Sequence, residues 1–131
     1  MVTGKILVCD DEKDVREVIR LQLEQHGLHV LEAENGEEAI KVLNSENNLV
    51  NLGMILCDIR MPKINGVEAI DYLKKNAPGI PIVVITGYPD TELAVDLMKK
   101  GVKDYLVKPV EKEKLLKVVD NAIATGKDFE Y

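Results

Sequence analysis

The stretch "KILVCDDEKDV", residues 5 to 15, runs an apolar segment straight into Asp10, Asp11 and Glu12. Like charges about 4 Å apart repel by several kcal/mol near a protein surface, so such a cluster needs a counter-charge. Other apolar runs end on polar groups as well: "MILC" on Asp58, "IPIVVI" on Thr86 and Gly87, and "DYLV" on Lys108 and Pro109. Carboxylate oxygens without nitrogen or sulfur donors suit a hard cation. Magnesium keeps several waters and takes one or two carboxylates, which fits Asp11 and Asp58, with Asp10 reached through water. Such an ion removes the repulsion and binds phosphate oxygens, so a phosphoryl group is the expected reagent. Asp58 is then a candidate nucleophile, because a carboxylate can form an aspartyl-phosphate. Lys108 would supply a point charge and Thr86 a hydroxyl to the phosphoryl oxygens. Phosphoryl transfer asks mainly for positioning and charge neutralisation, and these groups suffice for it.

Bringing these residues together requires a particular frame. Apolar runs at 6–9, 28–33, 54–57, 80–86 and 104–107 alternate with segments of helical period. Val15, Val18, Ile19 and Leu23 share one helix face, and Ala69, Ile70, Leu73 and Ala77 another. Leu115, Val118, Val119, Ala122 and Ile123 form a third. Gly27 and Gly101 stand at helix C-terminal positions, and Asn35 and Asp90 at N-caps. Continuous apolar strands imply burial on both faces, hence an α/β fold with a five-stranded parallel sheet and helices on each side. The strand at 28–33 is more amphipathic and belongs at an edge. Residues 44–53 read as a polar loop, and "EKEKLLK" as a solvated helix face. In open parallel sheets ligands bind beyond the carboxyl ends of the strands, which is where the acids, the threonine and the lysine fall.

The chain has 131 residues, enough for one domain, and 46% hydrophobic content supplies a core. A net charge of -6 argues against binding nucleic acid or anionic membranes through bulk charge. No run approaches the ~18 apolar residues of a membrane span. No signal peptide is read at the start. Cys9 and Cys57 lack metal-ligand spacing and read as small buried hydrophobes, turned away from the aspartates that follow them. A reduced, cytoplasmic setting is expected. His26 and His29 read as surface or edge positions, and no nucleotide-binding glycine loop occurs.

In combination, these motifs resemble the receiver domain of two-component response regulators, the CheY-like family. The motifs are "DDE" after the first strand, D-x-x-M-P-x-x-x-G from Asp58 to Gly66, Thr86 with a small residue after it, and Lys108-Pro109. The resemblance spans about residues 4 to 125. It implies a flavodoxin-like, doubly wound sheet of order 2-1-3-4-5 with five helices. It implies Asp58 as phosphoacceptor, and Mg2+ held by Asp11 directly, by Asp10 through water and by the Arg60 carbonyl. It also implies Thr86 and Tyr105 as a switch pair and a cis Lys108-Pro109 peptide. Gly87 departs from the family's commoner alanine without disturbing the assignment.

The domain is expected over residues 1–125, with 126–131 a tail or the start of a linker. The expected partners are a sensor histidine kinase or phosphotransfer protein, docking near Lys13, Arg16, Glu17 and Arg20, and a downstream effector protein or fused effector domain. Pairing of two copies on phosphorylation is a further option. Arg60 and Tyr88 would border the mouth of the site without offering a group to orient water, so slow self-dephosphorylation is expected. Three functions are distinguished: a phosphorylation switch that is not a turnover enzyme, a magnesium-dependent phosphatase or phosphotransferase, and a scaffold of the same fold. Asp10, Asp11, Asp58 and Lys108 are all present, which disfavours the scaffold. The lone aspartate on the third strand, with no cap domain, disfavours the phosphatase.

Overall fold

The computed structural model describes residues 4–45, 52–59 and 66–127. Five strands and five helices alternate: β1 (Lys5–Cys9), α1 (Lys13–Gln25), β2 (His29–Ala33), α2 (Gly36–Asn44), β3 (Leu52–Asp58), α3 (Gly66–Asn76), β4 (Ile82–Thr86), α4 (Thr91–Lys99), β5 (Asp104–Val107) and α5 (Lys112–Lys127). All neighbouring strands are parallel, in the order β2-β1-β3-β4-β5. This is the doubly wound, flavodoxin-like arrangement expected from the sequence.

Side-chain alternation builds two cores. Ile6, Val8, Met54, Leu56, Val83 and Ile85 point to one face, where Ile19 and Leu23 of α1 and Leu115, Val119 and Ala122 of α5 cover them. Leu7, Cys9, Ile55, Cys57, Ile82 and Val84 point to the other, under Ala39 and Leu43 of α2, Ile70 and Leu73 of α3 and Leu97 of α4. Each such aliphatic side chain contributes about 1.5–3 kcal/mol through burial. The central strands β3 and β4 are therefore apolar up to their last residues, Asp58 and Thr86. The β2 edge is mixed, with Val30 buried on one face, Ala33 buried on the other, and His29 and Glu32 exposed.

The helix termini follow the expected chemistry. Asn35 Oδ1 accepts from the Glu38 N–H at 2.8 Å, and Asp90 Oδ1 from the Leu93 N–H at 3.0 Å. Gly27 and Gly101 follow the C-caps of α1 and α4 at φ 93° and 97°, a region that side chains disfavour.

Several boundaries move. β3 begins at Leu52, two residues earlier than its apolar run, because Leu52 pairs with Lys5. Gly53 belongs to this extension. A Cβ there would lie 3.4 Å from Ile123 Cγ1, at the edge of ordinary contact with α5. β4 begins after Pro81, which lacks an N–H but accepts from the Ile55 N–H at 2.9 Å. Leu28 is not part of β2, since its N–H closes α1 onto Leu23 O. Val18, expected on the buried face of α1, is 54% exposed, whereas Ile19 and Leu23 are buried. Helix α5 continues to Lys127, past the boundary expected at 125. Residues 46–51 of the expected loop and residues 128–131 of the tail lie outside the described residues.

Candidate phosphoryl and metal site

The site forms where β1, β3, β4 and β5 end. The sheet places Asp10 just past β1: its N–H donates to Ala33 O at 3.0 Å, extending the β1–β2 ladder by one bond. Its Oδ1 accepts from the Glu12 N–H at 2.9 Å, closing a turn that delivers the chain into α1. Asp58 is the last residue of β3, and Thr86 the last of β4. Asp10, Asp58 and Thr86 are all buried, at 0%, 3% and 0% exposure. Asp11 and Glu12 are exposed on the connection above them.

Lys108 follows β5, and its peptide bond to Pro109 is cis. Its N–H donates to Thr86 O at 2.8 Å, which fixes the backbone beside β4. The ammonium donates to Asp58 Oδ2 at 2.8 Å and to Glu12 Oε1 at 3.0 Å. It also lies 2.8 Å from Asp10 Oδ2. That third approach is an ion pair outside hydrogen-bonding angles, so this buried Asp10 oxygen has no hydrogen-bond donor among the described residues. Burial works to lower the lysine pKa, but its bonds to Asp10, Asp58 and Glu12 outweigh this and hold it above the ordinary value. Burial raises the Asp10 carboxyl, against the opposing pull of Lys108 and of the Glu12 N–H.

One lysine thus faces four acids. Single oxygens of Asp10, Asp11, Glu12 and Asp58 lie within 4.8 Å of one another. An all-oxygen set with surplus negative charge, including an oxygen that lacks a hydrogen-bond donor, fits a hard divalent cation. A cleft of about 300 Å³ lined by Asp11, Glu12, Asp58, Gly87, Tyr88 and Lys108 opens above Asp58. Gly87 keeps one wall low: a Cβ there would meet only Lys108 Cδ, at 3.9 Å, so alanine would also fit.

Thr86 faces a different task. Its hydroxyl accepts from the Tyr88 N–H at 3.0 Å and approaches Tyr88 O at 3.4 Å, so it is engaged with the β4–α4 connection. Tyr105, half-buried on β5, accepts from the Asp90 N–H through its hydroxyl at 3.3 Å. Asp90 is the N-cap of α4, so both members of the expected switch pair hold the same connection.

The fold therefore brings together Asp10, Asp11, Asp58, Thr86 and Lys108, with Tyr105 on β5 in register with Val84, two residues before Thr86. Arg60, expected to offer a carbonyl to the metal, and the motif up to Asn65 lie outside the described residues. Sequence reading placed Arg16 on the kinase-docking surface and missed its contact with the site. Its Nη1 donates to Asp10 O at 2.7 Å and its Nε to Glu32 Oε1 at 3.0 Å, tying α1 to the site backbone and to β2. Arg20 is likewise paired with Glu24 and Glu32. Of the surface proposed for kinase docking, Lys13 and Glu17 are exposed, whereas both arginines are half-buried. His26, read as a surface residue, pairs with Asp120 at 2.9 Å, across 94 positions of sequence. Cys9 and Cys57 are neighbours in register and fully buried. The hydrogen bond between them, and burial, push the Cys9 thiol well up, which makes it a poor nucleophile.

A family model described as response regulator receiver domain matches residues 6–120. The transcriptional regulatory protein GlrR of Escherichia coli is 30% identical over 118 residues, covering 90% of this chain and 26% of that protein. A cyclic di-GMP phosphodiesterase of Thermotoga maritima is 32% identical over 118 residues, covering 90% of this chain and 30% of its own length. The chain spans roughly a quarter to a third of these curated relatives. Among solved structures, a response regulator receiver domain protein from Clostridium thermocellum superposes with a TM-score of 0.88 at 32% identity, covering 96% of this chain and 98% of that one.

Proposed function

The chain belongs to the response regulator receiver family of two-component signalling, and from that premise we propose that Asp58 is its phosphoacceptor. The observation that supports this most is the Lys108 ammonium, 2.8 Å from Asp58 Oδ2 and paired at the same time with Asp10. A carboxylate at the end of a buried strand is held beside a cation and opens to a cleft large enough for a phosphoryl group. An Asp58 oxygen attacks phosphorus, and the bond from phosphorus to a phosphohistidine nitrogen of the donor breaks. The imidazole leaves with that electron pair and takes up a proton. Lys108 neutralises the charge carried by the transferring oxygens, and Thr86 donates its hydroxyl to one of them after leaving Tyr88.

Mg2+ is the proposed cofactor. Asp11 and Asp58 would hold it, with Asp10 through water and the Arg60 carbonyl as a further ligand. When bound it supplies positive charge for phosphoryl oxygens and offsets the crowding of carboxylates. The proposed donor is a sensor histidine kinase or phosphotransfer protein. The proposed output is an effector protein or fused effector domain, engaged through the α4–β5–α5 surface. Among the described residues no helix is long and apolar enough to cross a membrane. The cytoplasm, where a histidine kinase would supply the phosphoryl group, is the proposed location. It acts as a switch that catalyses only its own phosphorylation and dephosphorylation. In this reading the tail or linker runs over 126–131, starting from the last two residues of α5.

Incubation with acetyl phosphate and Mg2+, followed by intact-mass spectrometry, tests the assignment. One acid-stable, base-labile phosphoryl group per chain is expected, and none on Asp58→Asn, whose amide is no nucleophile. Full labelling of Asp58→Asn would refute it. Continuous turnover of the donor without a labelled protein would favour a phosphatase instead.

A further inference from the structure

The Lys108 ammonium has three protons and three acidic neighbours: Asp10 Oδ2 at 2.8 Å, Glu12 Oε1 at 3.0 Å and Asp58 Oδ2 at 2.8 Å. Two of its protons are committed to hydrogen bonds, with Glu12 and Asp58, and Asp10 is held in an ion pair. A phosphoryl oxygen on Asp58 competes with these neighbours for the ammonium. The three neighbours differ in what they lose. Asp10 is wholly buried, and withdrawing the lysine would leave a buried charge without compensation. Asp58 is also buried and is itself the atom bearer of the new group. The Glu12 side chain is 60% exposed, so its carboxylate regains water as soon as it lets go. Its backbone stays fixed meanwhile. The Glu12 N–H is bonded to Asp10 Oδ1, and its carbonyl accepts from the Arg16 N–H at 3.0 Å. Only the side chain has to swing.

We propose that Glu12 is a positioning residue that holds Lys108 in the resting protein and competes with the phosphoryl group for it. This rests on the reading of Asp58 as phosphoacceptor. In the resting protein, Glu12 restrains the lysine and adds a negative charge to the lining of the cleft. On phosphorylation the Lys108–Glu12 bond exchanges for a Lys108–phosphoryl bond. Glu12 therefore sets how readily an anionic phosphodonor or phosphoryl mimic is accepted, and it opposes acceptance.

Beryllofluoride, a phosphoryl mimic, is titrated into the intact protein at saturating Mg2+, and Mg2+ is titrated separately without it. Glu12→Gln should bind beryllofluoride about threefold to fivefold more tightly, the scale of one half-exposed ion pair. Its Mg2+ affinity should stay equal or fall, because an attracting carboxylate has been lost. A loosened fold would weaken both ligands together, so this opposition of signs separates positioning from structure. Glu12→Asp keeps the charge but shortens the reach to Lys108. It should behave like Glu12→Gln towards beryllofluoride. Wild-type affinity in Glu12→Asp would show that charge alone matters and would overturn the proposal, as would unchanged or weaker binding in Glu12→Gln. Failure of the wild type to bind beryllofluoride, with Asp58→Asn indistinguishable from it, would refute the phosphoacceptor reading itself.

Discussion

Two stretches of the sheet's carboxyl edge are held in different ways. Across β1, β3 and β5, charge does the holding: Lys108 binds Asp10, Glu12 and Asp58, and Arg16 grips the Asp10 carbonyl. Across β4 and the start of α4, neutral hydrogen bonds do it: Thr86 to the Tyr88 backbone, and Tyr105 to the Asp90 N–H. Charge-assisted bonds are roughly twice as strong as neutral ones, and a buried ion that loses its partner is costly. In the proposed function the first region stays in place until a charged reagent arrives, and the second is released by a small change at Thr86.

The difference predicts unequal costs of breaking each side. Lys108→Ala leaves the buried Asp10 carboxylate without its cation. Removing one partner of a buried pair costs about 3–5 kcal/mol, so urea unfolding without divalent ions should shift by about that much. Added Mg2+ should restore part of the loss, because a cation can take over the same carboxylates. A shift under ~1 kcal/mol would mean that water already screens these acids. Tyr105→Phe removes one neutral hydrogen bond, to the α4 N-terminus, and keeps the ring in its packing. It should cost about 1 kcal/mol in the same assay and be indifferent to Mg2+. If Tyr105→Phe cost as much as Lys108→Ala, the two regions would not differ in how they are held.

The charged region was largely legible in the sequence, because its residues follow apolar runs that could only be buried strands. Asp10, Asp11, Asp58, Thr86 and Lys108 were each located by the strand they terminate, and the N-caps Asn35 and Asp90 by their position before helical segments. Contacts that depend on tertiary approach were not legible. Arg16 reads as a surface residue of an amphipathic helix, and only the turn set by Asp10 Oδ1 and the Glu12 N–H points it back at the site. His26 and Asp120 meet because α1 and α5 cover the same face of the sheet. Val18 fits the helical period of α1, yet it is 54% exposed on the wall of a cleft that it lines with Ile85, Tyr88 and Val110. Gly53 looked like loop, and its part in β3 follows from the pairing of Leu52 with Lys5 and of Met54 with Ile6 on either side of it. The partner of Tyr105 lies on the loop before α4, and no spacing in the sequence announces it.

The central claim is that the charged region receives the signal and the neutral region transmits it through Thr86. A ligand shifts a two-state element only by binding its two states unequally, and the Thr86 hydroxyl is where that inequality would arise. Amide NMR of the intact protein with Mg2+ and beryllofluoride reads both regions at once. In the wild type, the amides beside Asp10 and Asp58 and those of residues 87–107 should all shift. In Thr86→Ala the first set should shift as before and the second should stay near its resting positions. Shifts at Asp58 with none over 87–107 in the wild type, or an undiminished response over 87–107 in Thr86→Ala, would contradict it.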